Sequence, residues 1–161
     1  MLKYLIAYCI PYLKLTQFTA RQLTHAERQL CQTVFGQLID YDQVYIFKHR
    51  YLPWQSEDIF MAPNGNLYIL DKHFKADYAL EDIAYQAIFI HEMTHVYQYQ
   101  QGKNVLFHGA LLQIAYYISA KRYNPYHYQL AQRKAFHNYN IEQQGDIARD
   151  IFLKKIKNII I

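Results

Sequence analysis

The sequence predicts a small α+β domain, and three observations carry that prediction. Helical and strand-like patterns are segregated along the chain, with one helix, a few short apolar strands and then a run of helices. The length of 161 residues suits one domain and is enough to bury a core. The 52% hydrophobic and 19% charged residues describe a folded globule and not a disordered segment. No repeat, low-complexity tract or linker divides the chain, so residues 1–161 are read as a single domain. A small antiparallel sheet packed on a helical half is expected.

Taken in order, Met1–Ile10 is apolar but short, carries several tyrosines and lacks a small-x-small cleavage site. It reads poorly as a secretory signal, and no stretch reaches the length of a membrane span. The protein is therefore expected to be cytoplasmic as synthesised, with any export needing a specialised route. Thr24-His25-Ala26-Glu27 forms a capping box, in which the Thr24 and Glu27 side chains satisfy each other's backbone N–H. Leu23, Ala26, Leu30, Val34 and Leu38 follow at helical spacing and Gly36 can end the element, giving a helix over 24–36. Val44–Phe47 is β-branched and aromatic, hence a strand. Ile59–Ala62 and Leu67–Leu70 flank Pro63-Asn64-Gly65-Asn66, which predicts a hairpin. Residues 81–101 contain no Pro or Gly and Gly102 supplies a stop, so this stretch is a helix. Further helices are expected over 109–121, broken by Asn124-Pro125, then over 129–137 and 140–157. The Ile159–Ile161 end either docks on the body or adds an edge strand.

The central helix carries His91-Glu92-Met93-Thr94-His95. Positions i and i+4 project from one helix face about one turn apart, so both imidazoles can reach a single metal ion. Glu92 is rotated by about 100° from His91, which suits a general base beside a metal-activated water better than a third ligand. Zinc is the expected ion, because this pattern is the one that holds it.

A catalytic zinc usually has three protein ligands and leaves one position to water. A third histidine close behind the motif would need Gly at 98 and His at 101, and both are Gln. Glu142 is the sole glutamate after His95, 47 residues further on, and shares a helix face with Asp146. One of these carboxylates can bind the metal while the other accepts the free N–H of a ligating histidine. Asp146 can alternatively pair with Arg149 on a solvated face. His108, His127 and His137 are rival ligands, His127 the best placed because loops carry functional residues more often. His127 can instead contact substrate or stabilise an oxyanion, a role also open to Tyr123, Tyr126 and Tyr139. His25, His49 and His73 precede the motif and read as surface residues.

Composition narrows the partners. The formal charge of +4 is mild and no basic stripe appears, which argues against nucleic acid. The 17 tyrosines suit a groove with one wet side, for peptide or carbohydrate, as well as a plain aromatic core. Two cysteines without CxxC spacing require no oxidising compartment.

At His91-Glu92-Met93-Thr94-His95 followed by Glu142 and Asp146, the chain resembles the gluzincin metallopeptidases, in which HExxH is followed by ExxxD on a later helix. The resemblance implies a minimal zincin-like domain in which His91, His95 and Glu142 bind zinc. It also makes Glu92 the base and Asp146 the residue orienting a ligand. Two departures stand out: Ile141 occupies the place where that group often has Asn, and the spacing to Glu142 exceeds that of its smallest members. Phe35–Tyr41, Met61–Gly65 and His91–Gln100 also resemble small Vgr-related metallopeptidase domains encoded with bacterial contractile injection and type VI secretion systems. That likeness spans roughly residues 20 to 150. It implies a bacterial secreted effector exported by a contractile injection system, with a secretion-system protein as partner.

The sequence thus points to zinc-dependent hydrolysis of peptide bonds in a peptide or protein. Two alternatives stay open. One is a hydrolase of peptidoglycan stem peptides; the other is a catalytically silent, zinc-containing adaptor docking on a secretion-system partner.

Overall fold

A computed structural model describes residues 19–132 and 134–161. The reading of Met1–Ile10 as a poor secretory signal lies outside the described residues, as does Cys9. The fold is α+β, with the order β1 (Ala20–Gln22), α1 (His25–Phe35), β2 (Tyr45–Phe47), β3 (Leu67–Tyr68), α2 (Ile83–Gln100), α3 (Val105–Ile118) and α4 (Ile141–Phe152). Single 3-10 turns lie at Tyr41–Gln43, Tyr78–Leu80 and Phe136–Asn138.

The capping box at α1 forms, with Thr24 accepting from Glu27 N–H and Glu27 accepting from Thr24 N–H. Glu27 does more than cap. Its fully buried carboxylate also receives both terminal nitrogens of Arg21 at 2.7 Å and the backbone N–H of Tyr78 at 2.8 Å. A buried charge needs this many donors to offset its desolvation. The single side chain therefore ties β1, α1 and the Tyr78 turn together.

The sheet has three strands in the order β1-β2-β3 and is mixed, which corrects the antiparallel expectation. β1, which the sequence did not reveal, runs antiparallel to β2 with Arg21 opposite Ile46. β3 runs parallel to β2 with Ile46 opposite Leu67. The anticipated hairpin shrinks to one bridge, Met61 with Tyr68, while the other edge of β3 pairs with β2. The turn between them has Gly65 at φ 81°, where a Cβ would stand 2.7 Å from the Tyr99 ring.

α2 is apolar on nearly all sides and accordingly lies in the middle of the molecule, with Phe89, Ile90, Met93 and Val96 fully buried. Tyr78 stacks on Phe89 at 5.1 Å. α4 packs along α2 and buries Ile147, Ala148 and Ile151 in the same core.

Two helix boundaries differ from those expected, and one expected helix is absent among the described residues. α3 begins at Val105, four residues early, because the Asn104 side chain caps it. No helix forms over 129–137 among the described residues. The Tyr139 hydroxyl accepts from Ala131 N–H and donates to Gln129 O, an oxygen that a helix would have paired internally. α4 stops at Phe152 and not at 157, because Lys154 turns left-handed at φ 58° and Lys155 N–H folds back onto Asp150 O. The carboxyl end docks on the body, with Asn158 donating to Val34 O and Ile161 lying beside Gly36. Cys31 is buried and free.

Candidate metal centre

Two capped helices bring the site together. α2 starts at Asp82, whose carboxylate accepts from Ala84 and Tyr85 N–H, and two turns later presents His91, Glu92 and His95. α4 starts at Asn140 with a second capping box, completed by Gln143, and carries Glu142 in its first turn. An anionic side chain is favoured there by the helix dipole. The helices approach closely because α4 has Gly145 at the crossing. A Cβ on Gly145 would lie 2.5 Å from Cε1 of His91.

Glu142 Oε2 stands 3.4 Å from His91 Nε2 and 3.7 Å from His95 Nε2. One ligand atom from each of the three residues lies within 4.8 Å of the others, and no second such group occurs among the described residues. Tetrahedral coordination with bonds of about 2.1 Å puts neighbouring donor atoms about 3.4 Å apart. Two imidazoles and a carboxylate at these separations fit a zinc ion in both chemistry and spacing.

The outer nitrogen of each ring is also held. His91 Nδ1 lies 3.0 Å from Asp146 Oδ1, which also receives Arg149 Nη1 at 2.7 Å. His95 Nδ1 lies 2.9 Å from Gln98 Oε1, and Gln98 Nε2 donates to Ile141 O and Gln144 Oε1. Both partners are acceptors, so each Nδ1 carries a proton, and each Nε2 facing Glu142 is the nitrogen whose lone pair a metal would take once its own proton is lost. Gln98 and Gln144 are essentially fully buried and stitch α2 to α4.

The electrostatics follow from burial and these contacts. Burial disfavours charge on His91, yet Asp146 and Glu142 outweigh it and raise its pKa to about 10. His95 is also raised against the effect of burial, chiefly by Glu142. Burial opposes ionisation of Glu142, but its hydrogen bonds to the two rings hold it well below the usual carboxylate range. Glu92 goes the other way: burial raises it, with His95 and His91 opposing. Its Oε2 is buried and has no hydrogen-bond partner among the described residues. A buried carboxyl oxygen beside three potential ligands needs something to bind, and a water activated at the site would meet that need.

The centre opens into a cleft of about 1000 Å3. Its lining brings in Tyr126, whose hydroxyl is pushed up to about 12 by burial and by Glu142, Glu92 and Asp146. Tyr123, His127 and Tyr139 are not brought to the lining. The Tyr123 hydroxyl receives Asn140 Nδ2, the His127 carbonyl receives Gln143 Nε2, and the buried Tyr139 holds the 129–131 backbone. His108 bonds back to Asn104 O and His137 lends its carbonyl to Gln144, both apart from the three-residue group. His73, read as a surface residue, lines the cleft and bridges Tyr85 and Asp58.

Gly145, Gln98 and Gln144 escaped the sequence reading. The signal for the glycine was available, since a Gly between two acids inside a helix lowers helix propensity and so calls for a packing reason.

No family model matches the chain. Over 136 residues, 84% of its length, the sequence is 46% identical to the type VI secretion system spike protein VgrG2b of Pseudomonas aeruginosa. That stretch is 13% of the spike protein's own length. The structure matches that of the effector domain of Pseudomonas aeruginosa VgrG2b with a TM-score of 0.77 at 45% identity, covering 84% of this chain and 74% of that one.

Proposed function

The chain belongs to the family of the VgrG2b effector domain, and from that premise we propose that it is a zinc-dependent metallopeptidase serving as a secretion-system effector. The observation that carries the catalytic part is the meeting of His91 Nε2, His95 Nε2 and Glu142 Oε2 beside the unpartnered Oε2 of Glu92. The family supports the effector part.

In this reading His91, His95 and Glu142 hold the ion, with Asp146 and Gln98 fixing the two rings. Zinc would supply Lewis-acid polarisation of the scissile carbonyl and lower the pKa of a water toward neutrality. Glu92 receives the proton of that water at its free Oε2 as the water oxygen bonds to the carbonyl carbon. It then passes the proton to the amide nitrogen as the C–N bond breaks. Burial serves this exchange, because a raised Glu92 is a stronger base toward the water in the first step. Tyr126, kept protonated by its surroundings, is the hydroxyl in the cleft available to donate to the developing oxyanion.

A silent adaptor would suit a closed structural site with four protein ligands. Among the described residues three converge, on the wall of an open cleft, which supports the catalytic reading.

Glu92→Gln tests the proposal. Zinc content should be unchanged while peptide turnover falls by about 10²–10⁴-fold. Full activity in a zinc-loaded Glu92→Gln protein rules the mechanism out. Growth arrest on directing the wild-type chain to different bacterial compartments, absent with Glu92→Gln, would support the effector role.

A further inference from the structure

The walls of the cleft carry information about what lies in it. On α2, Tyr85, Ile88, Glu92 and His95 recur at helical spacing and so share one face, toward the cleft. Ile88 thus stands about one turn before the proposed base, and it is 43% exposed. Across the opening, Leu106 of α3 is 38% exposed, and the 52–61 loop contributes Ile59 at 53% and Trp54 at 77%. Scattered exposed apolar residues need no explanation, but bulky ones gathered along a concave wall mark a binding site. Beside Leu106, Gly109 and Ala110 leave room on the same wall for an incoming side chain.

The charges in the cleft point the same way. Its lining holds the carboxylates of Asp58, Asp82, Glu92, Glu142 and Asp146. Arg149 is the one Lys or Arg among the lining residues, and it is already bound to Asp146 at 2.7 Å. Asp58 is paired with Lys72 and His73, and away from the metal centre no Lys or Arg in the lining is left over to receive an acid on a ligand. An anionic ligand would meet like charge, which costs affinity.

We propose that this cleft selects extended peptide segments with bulky apolar side chains, and no acidic ones, flanking the bond to be cut. Its substrates are therefore protein chains and not peptidoglycan stems. Stem peptides offer small alanyl side chains and free carboxylates, the reverse of what these walls complement. The assignment of a bond to be cut rests on the peptidase reading; the binding preference does not.

The experiment uses the zinc-loaded Glu92→Gln chain, which holds peptides without turning them over, and the wild type in parallel. Blocked hexapeptides whose two central positions vary among Leu, Phe, Ala, Lys and Asp are assayed for binding beside purified stem peptides. Peptides with Leu or Phe should bind at least about tenfold more tightly than their Ala or Asp counterparts. Introducing Ile88→Asp or Leu106→Asp should erase that difference with zinc content and melting temperature retained, since both side chains are partly exposed. Equal or tighter binding of stem or Asp-bearing peptides overturns the inference, as does a preference that survives both substitutions. Apolar-selective binding with no wild-type cleavage sinks the peptidase reading alone. Wild-type cleavage indifferent to the flanking side chains sinks this inference alone.

Discussion

The imidazole of His91 occupies the place where Gly145 would carry a side chain: a Cβ there would stand 2.5 Å from Cε1 and 2.7 Å from both ring nitrogens. The ring cannot simply swing aside, because Asp146 and Glu142 hold it at either end. One glycine in α4 thus sets how a histidine in α2 is presented.

Gly145→Ala is expected to weaken zinc binding by at least about tenfold, the effect seen when a residue positioning a ligand is altered. Alanine raises helix propensity by about 1 kcal/mol, so overall stability should fall less than affinity does. Chelator competition beside thermal melts separates the two. Unchanged affinity would mean that the ring relaxes freely.

Gln98 holds His95 with its oxygen and α4 with its nitrogen. Gln98→Leu leaves three buried polar groups without this partner, each costing about 1–3 kcal/mol, and should lower both stability and zinc affinity. Gln98→Glu keeps the acceptor for His95 but loses the donors to Ile141 and Gln144. It should retain more zinc affinity than Leu does, and equal losses would show that the contact to His95 is idle.

The pH dependence has a definite sign. In metal-free protein the raised pKa of His91 adds stability that is fully present below its ordinary value of 6.5 and is lost as pH climbs through about 10. The lowered Glu142 adds stability present above its ordinary 4.5 and lost as pH falls. The metal-free site is thus most stabilising between 4.5 and 6.5. Zinc requires unprotonated rings, so the extra stability it confers should grow from pH 6 to pH 8, with protons released on binding. Melts with chelator and with zinc across that range test this, and a constant difference would contradict it.

Tyr126→Phe removes the one tyrosine hydroxyl in the cleft lining that acidic neighbours help keep protonated. If it donates to the oxyanion, kcat should drop by about 10²-fold while KM and zinc content barely change. A rise in KM with kcat intact would assign the hydroxyl to substrate binding.

Much of the site was legible because it is local. The spacing of His91, Glu92 and His95 is a property of one helix, and the capping box at Thr24 is closed within four residues. Elements that depend on distant partners were less legible. β1 was missed and the sheet expected to be antiparallel, because three-residue strands carry little pattern and their direction is set by what they pair with. The stretch 129–137 has helical composition but is held open by Tyr139.

By itself the sequence determined that two imidazoles and a carboxylate share one helix in an arrangement suited to zinc, since i to i+4 geometry follows from the backbone alone. Tertiary packing decided that Glu142, and not His108, His127 or His137, meets them across 47 residues of chain. It also decided that Gly145 makes room, that Gln98 bonds to His95, and that Tyr126, and not Tyr123 or Tyr139, lines the cleft. Those outcomes depend on the distance and rotation between two packed helices, a quantity that every core side chain helps to set and no short stretch encodes.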